Sequence, residues 1–218
     1  MTQFDTLVFD LDGTLLDTLP DLVVLTNAAL NEQGFPSRSV DEIHSFVGNG
    51  ARALMYQAVP MDATPEQAEA TMQRWKELYP VIGNKLTKPY PHMEETLVEL
   101  ARCGIAMGVL SNKFDQGVHD VIDAYLPDLF AVKYGERNDI PRKPNPAGLL
   151  RSIDELGSVP TRTAYVGDSP GDVAVARNAG TFAVGVAWGY HHADVLREAG
   201  ADIVIEDARE LLHLVCTR

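Results

Sequence analysis

Residues 8–17 read VFDLDGTLLD, an apolar run interrupted by Asp10 and Asp12 and followed at once by Gly13 and Thr14. On a strand, residues i and i+2 project to the same side, so the two carboxylates crowd one face. They repel each other and lose hydration there, and a bound cation is the simplest compensation. Three later stretches carry matching groups: Ser111-Asn112-Lys113 in AMGVLSNK, Lys143 in PRKPNP, and Asp168 and Asp172 in TAYVGDSPGD. Acids, a hydroxyl, an amide and a lysine together suit phosphoryl transfer through an aspartyl-phosphate. Asp10 is the expected nucleophile, a known use of a carboxylate. Its attack on an anionic phosphate needs charge offset, and Mg²⁺ suits because it prefers oxygen donors and keeps several waters. Asp10 and Asp168 are the expected side-chain ligands, with the backbone carbonyl of Asp12 as a third. Asp172, one helical turn from Asp168, is expected to orient it or the metal waters. Asp12 is expected to protonate the leaving oxygen and then deprotonate the hydrolytic water. Ser111 and Asn112 would hold phosphoryl oxygens, Thr14 joins the substrate-binding groups, and Lys143 would balance charge on Asp10 and the phosphate.

Each residue also has a plain structural reading. A D-x-D-G-T run arises by chance in roughly one of several hundred chains of this length at average composition. GDSPGD alone is an ordinary turn and helix cap, since Gly-Asp and Pro-Gly are common turn pairs. Ser111 alone would be a cap and Lys143 alone a solvated lysine, so their weight comes from convergence. Lys113 is expected on the surface. His92 and the pair His191-His192 lack a Cys/His cluster of ligand spacing and are expected to be structural. Trp75 and Trp188 are expected to pack.

The elements that must position these groups follow from periodicity. Residues 6–10 form a short apolar strand. Thr18-Leu-Pro-Asp21 then resembles a helix start with a hydroxyl cap, and Leu22, Leu25, Ala29 and Leu30 recur at helical spacing. Further helices are expected over 40–46, 51–59 and 64–79, with no strand between Asp17 and about Asn84. Residues 83–91, GNKLTKPYP, read as a linker broken by Pro89 and Pro91. Helices over 93–103, 116–125, 147–156, 173–179, 194–199 and 208–215 then alternate with strands over 106–110, 130–134, 163–166, 182–186 and 202–205. Such alternation implies a parallel sheet covered on both faces. The expected fold is α/β: a Rossmann-like core from residues 1–16 and 85–218, interrupted by a small all-helical domain over 17–84. Ligand sites in such sheets lie beyond the carboxyl ends of the strands, and the candidate residues fall there.

Composition narrows the classes. At 218 residues and 45% apolar content the chain can bury a core. No stretch of ~18 uncharged apolar residues suggests a membrane span. MTQFDTLVFD lacks a basic leader region, so no signal peptide and a cytoplasmic location are expected. Cys103 and Cys216 lie far apart in sequence and are expected as free thiols. A net charge of −13 disfavours nucleic acid as a partner. A small anionic phosphate ester is the expected partner, met by local cations, with a monomer or homodimer as the assembly.

Taken together, DLDGT, LSNK, Lys143 in RKPNP and GDSPGD resemble, in order, the motifs of the haloacid-dehalogenase-like hydrolase superfamily. The resemblance spans essentially the whole chain, and the helical insert matches that family's cap domain. FVGNGARAL, KPYPHMEETLVEL and GVAWGY make the phosphoglycolate phosphatases the most similar group, although His92 stands where Gly is common and Ser111 where Thr is common. The resemblance implies a Mg²⁺-dependent phosphatase acting on a small phosphomonoester, 2-phosphoglycolate first. Related pyrophosphatases, sugar-phosphate phosphatases and a β-phosphoglucomutase remain open, as does a degenerate phosphatase kept as a binding protein. A dehalogenase needs no acid at Asp12, a pumping ATPase carries Thr there, and a phosphonatase needs a cap lysine, of which none occurs between Asp17 and Trp75. The Gly48-Asn49-Gly50 loop and Arg52 are the expected substrate-reading groups of the cap, Arg52 for a substrate carboxylate.

Overall fold

The computed structural model describes residues 4–215. The chain runs β1 (Thr6–Phe9), β2 (Leu16–Asp17), α1 (Leu19–Glu32), α2 (Val40–Phe46), α3 (Gly50–Ala58), α4 (Pro65–Ile82) and β3 (Lys88–Pro89). It continues through α5 (Met93–Arg102), β4 (Ala106–Phe114), α6 (Asp115–Tyr125), β5 (Val132–Glu136), α7 (Ala147–Glu155), β6 (Thr163–Gly167), α8 (Pro170–Ala179), β7 (Phe182–Val186), α9 (Ala193–Ala199), β8 (Ile203–Ile205) and α10 (Leu211–Val215). It divides into two compact units, one over Thr18–Lys88 and one from the segments before and after it.

The larger unit is built on a six-stranded sheet in the order β5-β4-β1-β6-β7-β8, every pair parallel. Alternation along β1 explains its two covered faces. Leu7 and Phe9 enter one fully buried cluster with Met93 and Leu97 of α5 and Val118 of α6. Val8 enters another with Leu149 of α7 and Val173 and Ala176 of α8. Burying each such side chain contributes about 1.5–3 kcal/mol, so the apolar run that opens the sequence fixes the sheet's centre. Because β1 lies between β4 and β6, the chain leaves it toward opposite sides, and the crevice beyond its carboxyl end is where this architecture binds ligands.

The second core strand does not stop at Leu110 but continues to Phe114, with a register shift against β5 between Leu110 and Phe114. Thr18 is the residue before α1 but its side chain makes no cap bond, and Pro20 stands in the first turn. Cys103 is disulfide-bonded, not a free thiol. Cys103 follows α5 directly, and α10 packs against that helix. Cys216 lies outside the described residues.

The smaller unit is four helices, α1 packing against α2 and α4, and α3 against both α2 and α4. Its helix starts are legible in the sequence. Ser39 and Glu42 form a capping box on α2, and Thr64 and Gln67 form another on α4. Trp75 is buried there and stacks on Tyr79 at 5.9 Å. Asp21 is also buried. Its carboxylate accepts from the backbone N–H groups of Lys85, Leu86 and Thr87 and from the Thr87 hydroxyl. No helix among the described residues is long and apolar enough to cross a membrane.

Candidate active site

The crevice at the end of β1 gathers the expected residues of the larger unit. Asp10 follows β1 directly, and its N–H donates to the Val166 carbonyl of β6 at 2.9 Å. Asp168 follows β6. The turn after β1 winds back through N–H groups of Thr14, Leu15 and Leu16 onto the Leu11 carbonyl. Gly13 occupies this turn at φ +84°, and a Cβ there would run into the Asp168 carboxylate. Both facts demand glycine. A Cβ on Gly189 would likewise run into Asp168, and Tyr190 N–H donates to Asp168 Oδ2 at 2.7 Å.

Asp10, Asp168 and Asp172 are buried, and each offers an oxygen within 4.8 Å of the others. Asp172 stands at the third position of α8, which begins at Pro170 and not at Val173. It closes a capping box, its Oδ2 accepting from the Ser169 N–H and hydroxyl. Its other oxygen takes the Lys143 ammonium at 2.7 Å, and the same Nζ lies 2.9 Å from Asp10 Oδ1. Lys143 therefore bridges two of the three acids.

The electrostatics follow from this crowding. Burial pushes the Asp10 carboxyl from its ordinary value up to about 6, although Lys143 pulls it back down. Burial likewise pushes Asp168 well up, and the neighbouring Asp172 and Asp10 add to it. Burial works against the Lys143 charge, but Asp10 and Asp172 outweigh it and hold the ammonium well above the usual lysine range. Three buried acids facing one lysine leave negative charge uncompensated by the chain. An all-oxygen donor set with this deficit fits a hard divalent cation. Among the described residues no histidine belongs to this group; His92 is exposed at the start of α5, its Nδ1 2.6 Å from Glu95 Oε1.

The remaining candidates fall in distinct places. Ser111 and Asn112 are buried on β4. Asn112 accepts from the Lys143 N–H at 2.9 Å and so holds the lysine's turn, while Ser111 Oγ accepts from Lys113 N–H. Thr14 is fully buried and donates its hydroxyl to Asp168 Oδ1 at 3.1 Å. That bond supports the Asp168 carboxylate from a side chain that is 0% exposed. Asp12 stands apart from the three-acid group, its Oδ1 3.1 Å from Lys113 Nζ. Lys113, expected on the surface, is only 8% exposed. A buried ammonium requires a partner, and Asp12 is that partner. Tyr165 and Trp188 also bear on the site. The buried Tyr165 hydroxyl takes the Lys143 ammonium at 2.9 Å and donates to the Leu110 carbonyl, and Trp188 Nε1 donates to the Thr14 carbonyl. A tyrosine on an apolar strand gives no sequence signal of such a role.

In the smaller unit, Gly48 and Asn49 are exposed and Gly50 opens α3 at φ +81°. Arg52 is exposed, 2.8 Å from Glu69 Oε2, and donates to the Tyr56 hydroxyl, which itself donates to Glu69.

Comparison with known proteins gives one consistent likeness. Residues 7–186 match the family model described as haloacid dehalogenase-like hydrolase. A phosphoglycolate phosphatase of Vibrio vulnificus is 34% identical over 96% of this chain and 95% of its own length. One of Vibrio cholerae is 32% identical over 99% and 98%. The crystal structure of a predicted phosphoglycolate phosphatase from Haemophilus somnus, 30% identical, superposes with a TM-score of 0.92 over 98% of this chain and 99% of that one.

Proposed function

The chain belongs to the haloacid dehalogenase-like hydrolase family, and from that premise we propose that it hydrolyses 2-phosphoglycolate to glycolate and phosphate through an aspartyl-phosphate. One observation carries the mechanism: at the end of the central strand, Asp10 faces a buried lysine at 2.9 Å, while Asp12 is held in a separate ion pair. Two acids two residues apart thus have different surroundings and can take different roles.

In this mechanism Asp10 forms the bond to phosphorus as the bond to the leaving oxygen breaks. Lys143 steadies the Asp10 carboxylate and the transferring phosphoryl charge. Asp12 gives its proton to the leaving oxygen, then takes one from the water that cleaves the acyl phosphate. Ser111 and Asn112 border the phosphoryl position, and Thr14, Gly13 and Gly189 keep Asp168 in place. Asp10 and Asp168, with Asp172 beside them, would hold Mg²⁺, which when bound offsets the phosphate's charge. The named activity of the Vibrio relatives supports 2-phosphoglycolate as substrate, and Arg52 is the candidate reader of its carboxylate.

The test is a panel of 2-phosphoglycolate, pyrophosphate, hexose phosphates and p-nitrophenyl phosphate, with Mg²⁺ and with chelator. The expected result is the highest kcat/KM on 2-phosphoglycolate and no turnover in chelator. A clear preference for pyrophosphate or a hexose phosphate would remove the substrate assignment. Full activity in chelator would remove the metal.

A further inference from the structure

We propose that Lys113 is a positioning residue for Asp12, fixing the carboxylate that carries the proton in both half-reactions. The inference rests on the aspartyl-phosphate reading above and adds to it a residue outside the Asp10, Lys143 and Asp168 constellation.

The geometry is specific. Lys113 Nζ lies 3.1 Å from Asp12 Oδ1, with side-chain exposures of 5% and 14%. Long ion pairs on a surface are loosely held, whereas a desolvated pair has few alternatives to its observed contact. The backbone beneath Lys113 is equally constrained. β4 shifts its register between Leu110 and Phe114, an irregularity that re-aims side chains and is common beside active sites. Lys113 N–H donates to Ser111 Oγ at 3.3 Å. On the β5 side, Gly135 approaches so closely that a Cβ would stand 2.6 Å from the Lys113 carbonyl. The bulge, the small neighbour and the hydroxyl together set the direction of one lysine, and that lysine ends on Asp12.

The charge layout gives the pairing a purpose. Lys143 is committed to Asp10 and Asp172, and the ammonium that meets Asp12 is that of Lys113. A proton carrier must sit within hydrogen-bond reach of the oxygen it serves. Anchoring one carboxylate oxygen fixes the plane of the group and hence the place of its other oxygen. The lysine neither meets phosphorus nor moves a proton itself.

Leaving-group dependence separates this role from simple packing. An alkyl ester such as 2-phosphoglycolate releases an alkoxide that needs a proton, while p-nitrophenolate departs without one. kcat/KM reports only steps through leaving-group departure, so the shared hydrolytic step does not mask the difference. Lys113→Met should lower kcat/KM on 2-phosphoglycolate about tenfold to a hundredfold more than on p-nitrophenyl phosphate, a share of the ~10²–10⁴ a general acid supplies. Lys113→Arg should recover part of the loss. In an Asp12→Asn background, Lys113→Met should cost nothing further on the alkyl ester. Circular dichroism checks folding, and if Lys113→Met does not fold, Lys113→Gln is carried through the same assays. Equal losses on both substrates, or undiminished loss in the Asp12→Asn background, would overturn the inference. Asp10→Asn is assayed in parallel: if it stays active the aspartyl-phosphate reading falls, and if it is inactive those results count against Lys113 alone.

Discussion

The Lys143 ammonium stands 2.9 Å from Asp10 Oδ1 and 2.7 Å from Asp172 Oδ1. Lys143→Met would therefore leave three neighbouring buried acids without an internal cation. Breaking a buried pair from one side costs about 3–5 kcal/mol. The metal-free variant should lose about that much stability in urea unfolding, and saturating Mg²⁺ should restore part of it. Turnover should fall at least ~100-fold, since the charge opposite the transferring phosphoryl is gone. Unchanged stability in chelator would show that Lys143 does not neutralise the cluster.

Asp10→Asn should fall below about a hundredth of wild-type turnover, because an amide is no nucleophile toward phosphorus. Asp12→Asn should slow both half-reactions and let a phosphoenzyme accumulate, visible as an acid-stable mass increase on the intact protein. Wild-type turnover in either variant places that role on another residue.

The metal's effect on stability should depend on pH, with a definite sign. Burial raises the Asp10 carboxyl to about 6 in the folded protein, above its ordinary value of 3.8. The metal-free native state therefore binds more protons than the unfolded chain across that interval. The stability this supplies is fully present below the unfolded value and is lost as pH rises through about 6; Asp168 shifts in the same direction. Mg²⁺ competes with those protons. Its stabilising shift in Tm should be small at pH 5 and grow to ~5 °C or more by pH 7.5 at ~100-fold excess over Kd. Scanning calorimetry with Mg²⁺ and with chelator reads this directly, and a shift that shrinks with rising pH would contradict it.

The site was readable where chemistry is carried by residue type at the end of a strand, and hidden where it depends on distance through space. Asp10 and Asp168 could be picked out because acids at the ends of apolar strands are costly without a purpose, and Lys143 by its convergence with them. Lys113 could not, because nothing in a sequence distinguishes a solvated lysine from one buried against an acid about a hundred positions earlier. Tyr165 gives no signal on an apolar strand, and its hydroxyl matters only because Lys143 arrives from another loop. The expected helix at Thr18 exists, but the hydroxyl cap does not, since local pattern cannot say where Asp21 is needed. The parallel fold followed from alternation alone. The disulfide at Cys103 did not, because pairing of cysteines depends on distance through space.

Asp21 gives a prediction about the helical unit alone. Its buried carboxylate satisfies three backbone N–H groups and one hydroxyl of residues 85–87. Those bonds tie the segment leaving the unit to the helix that begins it. Asp21→Ala would leave buried donors unpaired, at about 1–3 kcal/mol for each group that water cannot reach. The variant should lose about 3 kcal/mol or more in denaturant unfolding, and hydrogen exchange at Leu86 and Thr87 should accelerate. Preserved protection at those amides would show that the carboxylate is dispensable.

Arg52 is the candidate reader of a substrate carboxylate. Its guanidinium is exposed, paired with Glu69 and the Tyr56 hydroxyl. An exposed pair of this kind contributes only about 0–1 kcal/mol, so it offers weak competition to a substrate carboxylate. A charge-assisted hydrogen bond to that carboxylate is worth ~1.5–3 kcal/mol. Arg52→Ala should accordingly lower kcat/KM on 2-phosphoglycolate by roughly tenfold to a hundredfold relative to p-nitrophenyl phosphate, which has no carboxylate. Glu69→Gln removes the internal partner but keeps the cation, and should change the same ratio by less than about threefold. Equal losses on both substrates after Arg52→Ala would assign the residue to the stability of the helical unit. A large loss in Glu69→Gln alone would mean that the pair, and not the arginine's charge, reads the substrate.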